Sequence, residues 1–376
     1  MKKFNLILLT IISSALLAIP QPPDLGVGSY ILYEPTTKKI LVSYNENDQV
    51  EPASLTKLMT SYVVADYIKE GFVSLDDDPR ISVKAWKAPG SRMFIREGTN
   101  VKVSDLIKGM IIQSGNDASI ALAEHVAGSE DNFVLLMNDY AAELGMVNTS
   151  FNNSTGLPDP LNLTTAKDLA LLTSAIIKNF PSHYKNYSQK SFTYGGITQP
   201  NRNRLLWRDE IFDGVKTGFT SNAGYCLVGS ASRGDMRLVA VVLGSEDEKR
   251  FNDVSALMSY GFKYFVTEKK VAKNTSLKEM KVVAGVSDVV NLGIDEDIIL
   301  TLQKDQKDSL SYEIAAPTEV LAPVTKGEIA GTLRVIDEEG KIVEEKALLY
   351  LESVEELGFF QRIIAILWNW IKSLFT

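Results

Sequence analysis

The spacing of apolar residues changes several times along the chain, and each change predicts a different kind of element. Ser29 to Tyr33 and Ile40 to Tyr44 are short β-like runs joined by Pro35-Thr36-Thr37, which predicts two strands and a turn. From about Pro52 to Lys69, the residues Leu55, Leu58, Met59, Tyr62 and Val63 recur at helical spacing until Gly71 stops the pattern. Helical periodicity returns over Ser104 to Gln113, Asn116 to Ala127, Asp131 to Leu144 and Thr165 to Lys178, with Ser104 and Thr165 as expected caps. Tyr225 to Ala231 and Met236 to Leu243 predict a hairpin around Arg233-Gly234-Asp235, and a helix follows from about Asn252 to Phe265. Strands at both ends of a helical block predict an α/β (α+β) domain over 24–266, with a mostly antiparallel sheet and a helical cluster. Thr267 to Lys281 is rich in Lys and Glu and reads as a linker. After it, Lys281 to Val286, Asp297 to Leu302, Ser311 to Ala315, Ile329 to Val335 and Ala347 to Leu351 predict a small all-β domain over 280–354.

Both termini concern location. Met1-Lys2-Lys3 precedes an uncharged stretch, Phe4 to Ala18, that is shorter than the ~20 apolar residues of a membrane span. It predicts a secretory signal over 1–18, and hence a mature chain outside the cytoplasmic membrane. At the other end, over 357–376, Arg362, Ala365, Asn369, Lys372, Ser373 and Thr376 share one narrow helical face, while Phe, Ile, Leu and Trp cover the rest. Aromatic residues and two cations suit the headgroup boundary, so this segment is expected to lie in the membrane plane as an amphipathic anchor. A helix buried in the last domain is the other reading.

Composition narrows the chemistry. With 45% hydrophobic and 23% charged residues the chain is globular. Lys plus Arg number 39 against 47 Asp plus Glu, a net charge of −8, so no basic surface for nucleic acid is expected. The single Cys226 cannot form an internal disulfide, and His125 and His183 alone give a zinc site little to draw on. Chemistry without a metal, a thiol or a cofactor is expected. Cys226 reads as a small core residue.

Three short motifs remain. In Ser54-Leu55-Thr56-Lys57 the first and last residues share a helix face, and Pro52 just ahead suits a first turn. A serine hydroxyl becomes a nucleophile when a neighbour takes its proton, and lysine does this when burial and nearby positive charge favour its neutral form. Ser182-His183-Tyr184-Lys185 has the same spacing by chance. Ser114-Gly115-Asn116, between two predicted helices, can aim a hydroxyl and an amide into one cleft, though these are also ordinary turn and cap residues. Lys216-Thr217-Gly218 places a cation and a hydroxyl before a glycine on a strand edge, where a substrate backbone could approach; an exposed strand end looks the same. Lys216 would add positive potential against protonation of Lys57.

Read together, the motifs are specific. Their order is that of S-x-x-K, S-D-N and K-T-G in β-lactamases and penicillin-binding proteins, with Ser-Gly-Asn as the middle motif. With their flanks, Glu51 to Thr60, Gln113 to Ala118 and Asp213 to Gly218, they resemble the serine-type D-alanyl-D-alanine carboxypeptidases, low-molecular-mass penicillin-binding proteins with a β-rich second domain and a C-terminal anchor. The resemblance implies a β-lactamase/penicillin-binding-protein-like fold and cleavage of the terminal D-alanine from peptidoglycan stem pentapeptides. It implies Ser54 as nucleophile, Lys57 as general base, and Ser114 and Asn116 in proton transfer and substrate holding. Lys216, Thr217, Arg202 and Arg250 fall at positions implied to receive the terminal carboxylate, and Gly218 at a substrate-binding position where the substrate backbone comes close. β-Lactams are implied to acylate Ser54, and the enzyme to sit on the outer face of the inner membrane.

Two features depart from the family pattern. Phe219 stands where many relatives carry histidine, and the loop Ala85 to Met93 is short. A β-lactamase, and a penicillin-binding protein with little turnover acting structurally, are the alternatives.

Overall fold

The computed structural model describes residues 20–373; the expected signal segment and residues 374–376 lie outside them. The first domain is built on five antiparallel strands: β1 (Ser29–Glu34), β2 (Lys39–Tyr44), β5 (Phe212–Thr220), β6 (Gly224–Arg233) and β7 (Met236–Ser245), in the order β2-β1-β7-β6-β5. Strand β7 shows why the sheet is buried on both faces. Val239, Val241 and Leu243 join the core of the helical cluster, while Leu238, Ala240 and Val242 join the core beneath α8 (Lys249–Tyr264). This is the period-2 alternation of a strand with apolar partners on each side.

The cluster on the first face comprises α1 (Lys57–Lys69), α2 (Val83–Trp86), α3 (Val103–Ile112), α4 (Asn116–Ala127), α5 (Glu130–Glu143), α6 (Ala166–Asn179) and α7 (Pro181–Tyr184). A tight 3₁₀ turn, Ala53–Thr56, leads into α1. Thr165 caps α6, its hydroxyl accepting from Asp168 N at 3.1 Å. Ser104 is no cap: α3 begins one residue earlier, at Val103. A small hairpin, β3 (Ser191–Tyr194) with β4 (Ile197–Pro200), borders the cluster, and its polar, half-exposed residues gave no β signal.

The second domain has a six-stranded sheet in the order β12-β14-β15-β10-β9-β13, from β9 (Lys278–Val283), β10 (Val289–Gly293), β12 (Ser311–Ala315), β13 (Glu319–Leu321), β14 (Ile329–Ile336) and β15 (Ile342–Tyr350). Its core includes Met280, Val282, Leu292, Leu333 and Leu348. The expected linker is not a linker: β8 (Phe265–Val271) continues directly from α8 and pairs with β11 (Ile298–Gln303). Glu268 and Lys269 are partly exposed, Lys270 pairs with Glu268 and Lys307 O, and Phe265, Thr267 and Val271 are buried, so composition hid the buried positions. The domains meet where Thr301 Oγ1 lies 2.7 Å from Thr37 Oγ1 and donates to the buried Glu34 carboxylate at 3.2 Å.

The chain ends in α9 (Phe359–Ser373). Asn369 hydrogen-bonds Lys281 and Glu319, and Arg362 pairs with Glu356, so the polar face turns to the β domain. Phe360, Ile364 and Leu367 point outward, exposed by half or more. The alternative of a core helix is thereby excluded. No helix among the described residues is long and apolar enough to cross a membrane.

Candidate active site

The three motifs come from separate elements and converge on one cleft. Ser54 lies in the 3₁₀ turn and Lys57 is the first residue of α1, buried with 1% exposure. Ala53 (φ 49°) and Ser114 (φ 66°) both adopt left-handed backbone, a conformation costly for residues with a Cβ that is found at sites whose surroundings impose it. Lys57 Nζ lies 3.2 Å from Ser54 Oγ and 2.7 Å from Asn116 Oδ1, and also reaches the carbonyl of Thr155. Asn116 is oriented because its Nδ2 donates to Pro89 O at 2.6 Å.

A neutral lysine amine has two N–H groups and one lone pair. Asn116 Oδ1 and Thr155 O can only accept, so they take the two N–H groups. The lone pair is left for the Ser54 hydroxyl. Burial, and then the Arg202 guanidinium, pull the Lys57 ammonium down to about 7, against the opposing pull of Asp117 and Glu130. Arg202 is thus a cation that acts on Lys57, and Lys216 and Lys57 disfavour each other's charge. Lys216 is itself held well below its ordinary value by burial, then by Lys57, Arg202 and Arg250.

Lys216 Nζ donates to Ser114 Oγ at 2.9 Å and to Thr217 O at 3.0 Å, joining the second and third motifs. Strand β5 lies at the sheet's edge and packs on the nucleophile turn. Gly218 makes a close packing contact there. A Cβ on it would lie 3.2–3.3 Å from Leu55, Ala53 and Pro52 O, so the glycine lets β5 close on the turn carrying Ser54. Gly156 does the same from the other side, where a Cβ would overlap Ala53 O at 1.7 Å.

Ser54, Ser114, Arg202, Thr217, Phe219 and Arg250 line a cleft of about 580 Å³. A larger groove, about 800 Å³, lies at the domain junction and contains none of them. Arg202 is fixed by Nε donating to Gln113 O at 3.0 Å. Arg250 stacks over Tyr225 at 4.8 Å from the ring centroid and pairs with Asp247, and its buried Nε has no partner. Phe219 is half-exposed at the cleft wall and packs on Tyr225, 4.3 Å between centroids.

The sequence motifs did not reveal the support behind Lys57. Buried Glu130 accepts from Ser154 N at 2.9 Å and Ser154 Oγ at 2.6 Å and pairs with Lys84. Ser154 O in turn accepts from Thr60 and Ser119, both at 2.7 Å. This network holds the turn whose Thr155 carbonyl meets Lys57. The only trace in sequence is the cluster Asn152-Asn153-Ser154-Thr155-Gly156, which reads as an ordinary loop.

The D-alanyl-D-alanine carboxypeptidase family profile matches residues 17–247, more than half of the chain. The chain belongs to the D-alanyl-D-alanine carboxypeptidase family. Residues 265–356 match the C-terminal domain of penicillin-binding protein 5. The chain is 41% identical over 365 residues to the D-alanyl-D-alanine carboxypeptidase DacC of Escherichia coli K12, covering 94% of this chain and 90% of that one. It is 38% identical to DacA of Haemophilus influenzae, covering 94% and 92%. Penicillin-binding protein 5 from Haemophilus influenzae superimposes with a TM-score of 0.81 at 38% identity, over 90% of this chain and 100% of that one. Penicillin-binding protein D2 from Listeria monocytogenes, solved in its ampicillin-bound form, gives 0.60 at 32% identity, over 64% and 100%. This family member is thus a serine-type carboxypeptidase of the cell wall with the architecture of penicillin-binding protein 5.

Proposed function

We propose that this DD-carboxypeptidase acts on peptidoglycan stem pentapeptides through a Ser54 acyl-enzyme. The observation carrying this is the lysine amine whose N–H groups are both engaged and whose lone pair faces the Ser54 hydroxyl. Neutral Lys57 takes the hydroxyl proton as Oγ bonds to the carbonyl carbon of the penultimate D-alanine. Backbone N–H groups of Ser54 and of a residue near Phe219 receive the oxyanion. The C–N bond then breaks, and the proton reaches the departing D-alanine amine by way of Ser114, which Lys216 orients. A water attacks the ester and gives its proton to Lys57. Ser54 recovers its proton as the tetrapeptide leaves.

Arg250, Arg202, Thr217 and Lys216 receive the terminal carboxylate. The cationic cleft wall, to which Arg202 and Arg250 both contribute, supports that assignment. A β-lactam acylates Ser54 because its strained amide stands in for the D-alanyl-D-alanine bond. The enzyme works outside the cytoplasmic membrane after loss of residues 1–18, held on the outer face of the inner membrane by α9. The outward apolar face of that helix, with its polar face turned to the β domain, supports surface anchoring. The test is fluorescent penicillin labelling followed by peptide mass mapping. Label on the Ser54 peptide is expected, and label elsewhere would refute the assignment.

A further inference from the structure

Beside the catalytic cleft lies a second groove, of about 580 Å³, that the mechanism does not use. Trp86, Phe94 and Ile197 line it with 39%, 48% and 45% of their surface exposed. Arg92 and Arg96 are its charged lining residues, and no acidic side chain lines it among the described residues. Arg92 lies over the Phe94 ring at 5.5 Å, and Lys87 over Trp86 at 5.9 Å.

The display of Phe94 is imposed. Its backbone is left-handed (φ 69°), which for so bulky a residue costs on the order of 1–3 kcal/mol. The fully buried Asp117 carboxylate enforces it, accepting from Met93 N at 3.0 Å, Phe94 N at 2.9 Å and Ile95 N at 3.3 Å. Asp117 directly follows Asn116, so the same turn that carries the second motif holds an aromatic ring out toward solvent beside a cation. A strained backbone spent on exposing an apolar ring points to a ligand for that ring.

Position and charge name the ligand. Ser91 and Pro200 line the catalytic cleft, while Arg92 and Ile197 line the groove, and Gln199 Nε2 donates to Arg92 O at 3.1 Å across the seam. Along β4, the three steps from Pro200 to Ile197 span about 10 Å at ~3.3 Å per residue. Only one residue of a stem pentapeptide lies on the carboxyl side of the scissile bond, so the part long enough to cover that step from the cleft is the amino-side part. In a stem pentapeptide this stretch holds the γ-linked glutamate, whose α-carboxylate is free.

We infer that this groove is a subsite for the acidic amino-side portion of the stem peptide. Arg92 and Arg96 receive the free carboxylate, and Phe94 and Trp86 receive its apolar faces. Asp117 is a positioning residue for this subsite. The inference rests on the carboxypeptidase reading and deepens it.

The test compares the parent with an Arg92→Ala/Arg96→Ala variant on a muramyl pentapeptide, on the same peptide with the glutamate α-carboxylate amidated, and on a diacetylated tripeptide ending in D-alanyl-D-alanine. The variant is expected to lose about tenfold in kcat/KM on the acidic pentapeptide, mainly through KM, one charge-assisted contact being worth roughly that much. Hydrolysis of the tripeptide and of the amidated peptide, and penicillin acylation, should be unchanged. Equal losses on all substrates, or no loss on the acidic pentapeptide, overturns the subsite while leaving the carboxypeptidase intact. A parent that releases D-alanine from none of them overturns both.

Discussion

Arg202, fixed on Gln113 O at the cleft wall, is after burial the strongest influence pulling the Lys57 ammonium down to about 7. The relationship links a residue proposed to bind substrate with the protonation state of the proposed base. Acylation needs neutral Lys57, so its rate should rise about tenfold per pH unit below 7 and level off above it. Stopped-flow penicillin acylation from pH 5 to 9 checks this, and a flat profile would contradict it. Lys57→Ala should lower the plateau by about 10²–10⁴.

Arg202→Gln removes a positive charge from beside Lys57. The lysine then holds its proton more strongly, so the acid limb should move to higher pH as carboxylate binding weakens. Arg202→Lys should bring the limb back toward its original position. An unmoved limb in Arg202→Gln would separate Arg202 from the base.

Gly156→Ala should damage both stability and acylation. Its Cβ would overlap Ala53 O at 1.7 Å, and the left-handed φ of 77° adds strain, so a loss of about 3 kcal/mol is expected in urea melts. Gly218→Ala meets neighbours at 3.2–3.3 Å and should cost less, about 1 kcal/mol, while displacing β5 from the Ser54 turn. Equal stability of both variants with the parent would refute the packing argument.

His183 predicts an acid sensitivity unrelated to catalysis. Its Nε2 lies 2.7 Å from Ser61 Oγ on α1, and burial pushes the ring down to about 4. The folded state thus resists a proton that the unfolded chain takes up near 6.5. The stabilisation is complete above pH 6.5 and is lost as pH falls toward 4, on the order of 1–2 kcal/mol for a ring that keeps some solvent contact. His183→Gln should flatten that part of the stability curve; an unchanged slope would assign it elsewhere.

Membrane attachment should require the apolar face of α9. Deleting residues 358–376, or introducing Ile364→Asp with Leu367→Asp, should release the protein from anionic lipid vesicles in sedimentation. Unchanged sedimentation would exclude α9 as the anchor.

Much of this architecture was readable from residue spacing. Thr165 announced α6 because its cap is local chemistry, and β7 declared itself because Leu238 to Leu243 is an unbroken apolar run after a turn. The catalytic constellation was readable only as three fragments, since nothing local shows that Lys216 reaches Ser114 across 102 residues. Strand β8 escaped because its Lys and Glu residues read as a solvated linker and its partner β11 is distant in sequence. The Glu130–Ser154 support and the Asp117 clamp escaped for a related reason. A buried carboxylate satisfied by backbone N–H groups has the same sequence as an exposed one. Gly218 was legible as a close approach, but its packing on the Ser54 turn was not.

The most direct measurement is release of D-alanine from a peptide ending in D-alanyl-D-alanine, by the parent and by Ser54→Ala at equal concentration. Release by the parent and none above background by the variant is the predicted result. Equal release by both, or none by the parent, would contradict the account.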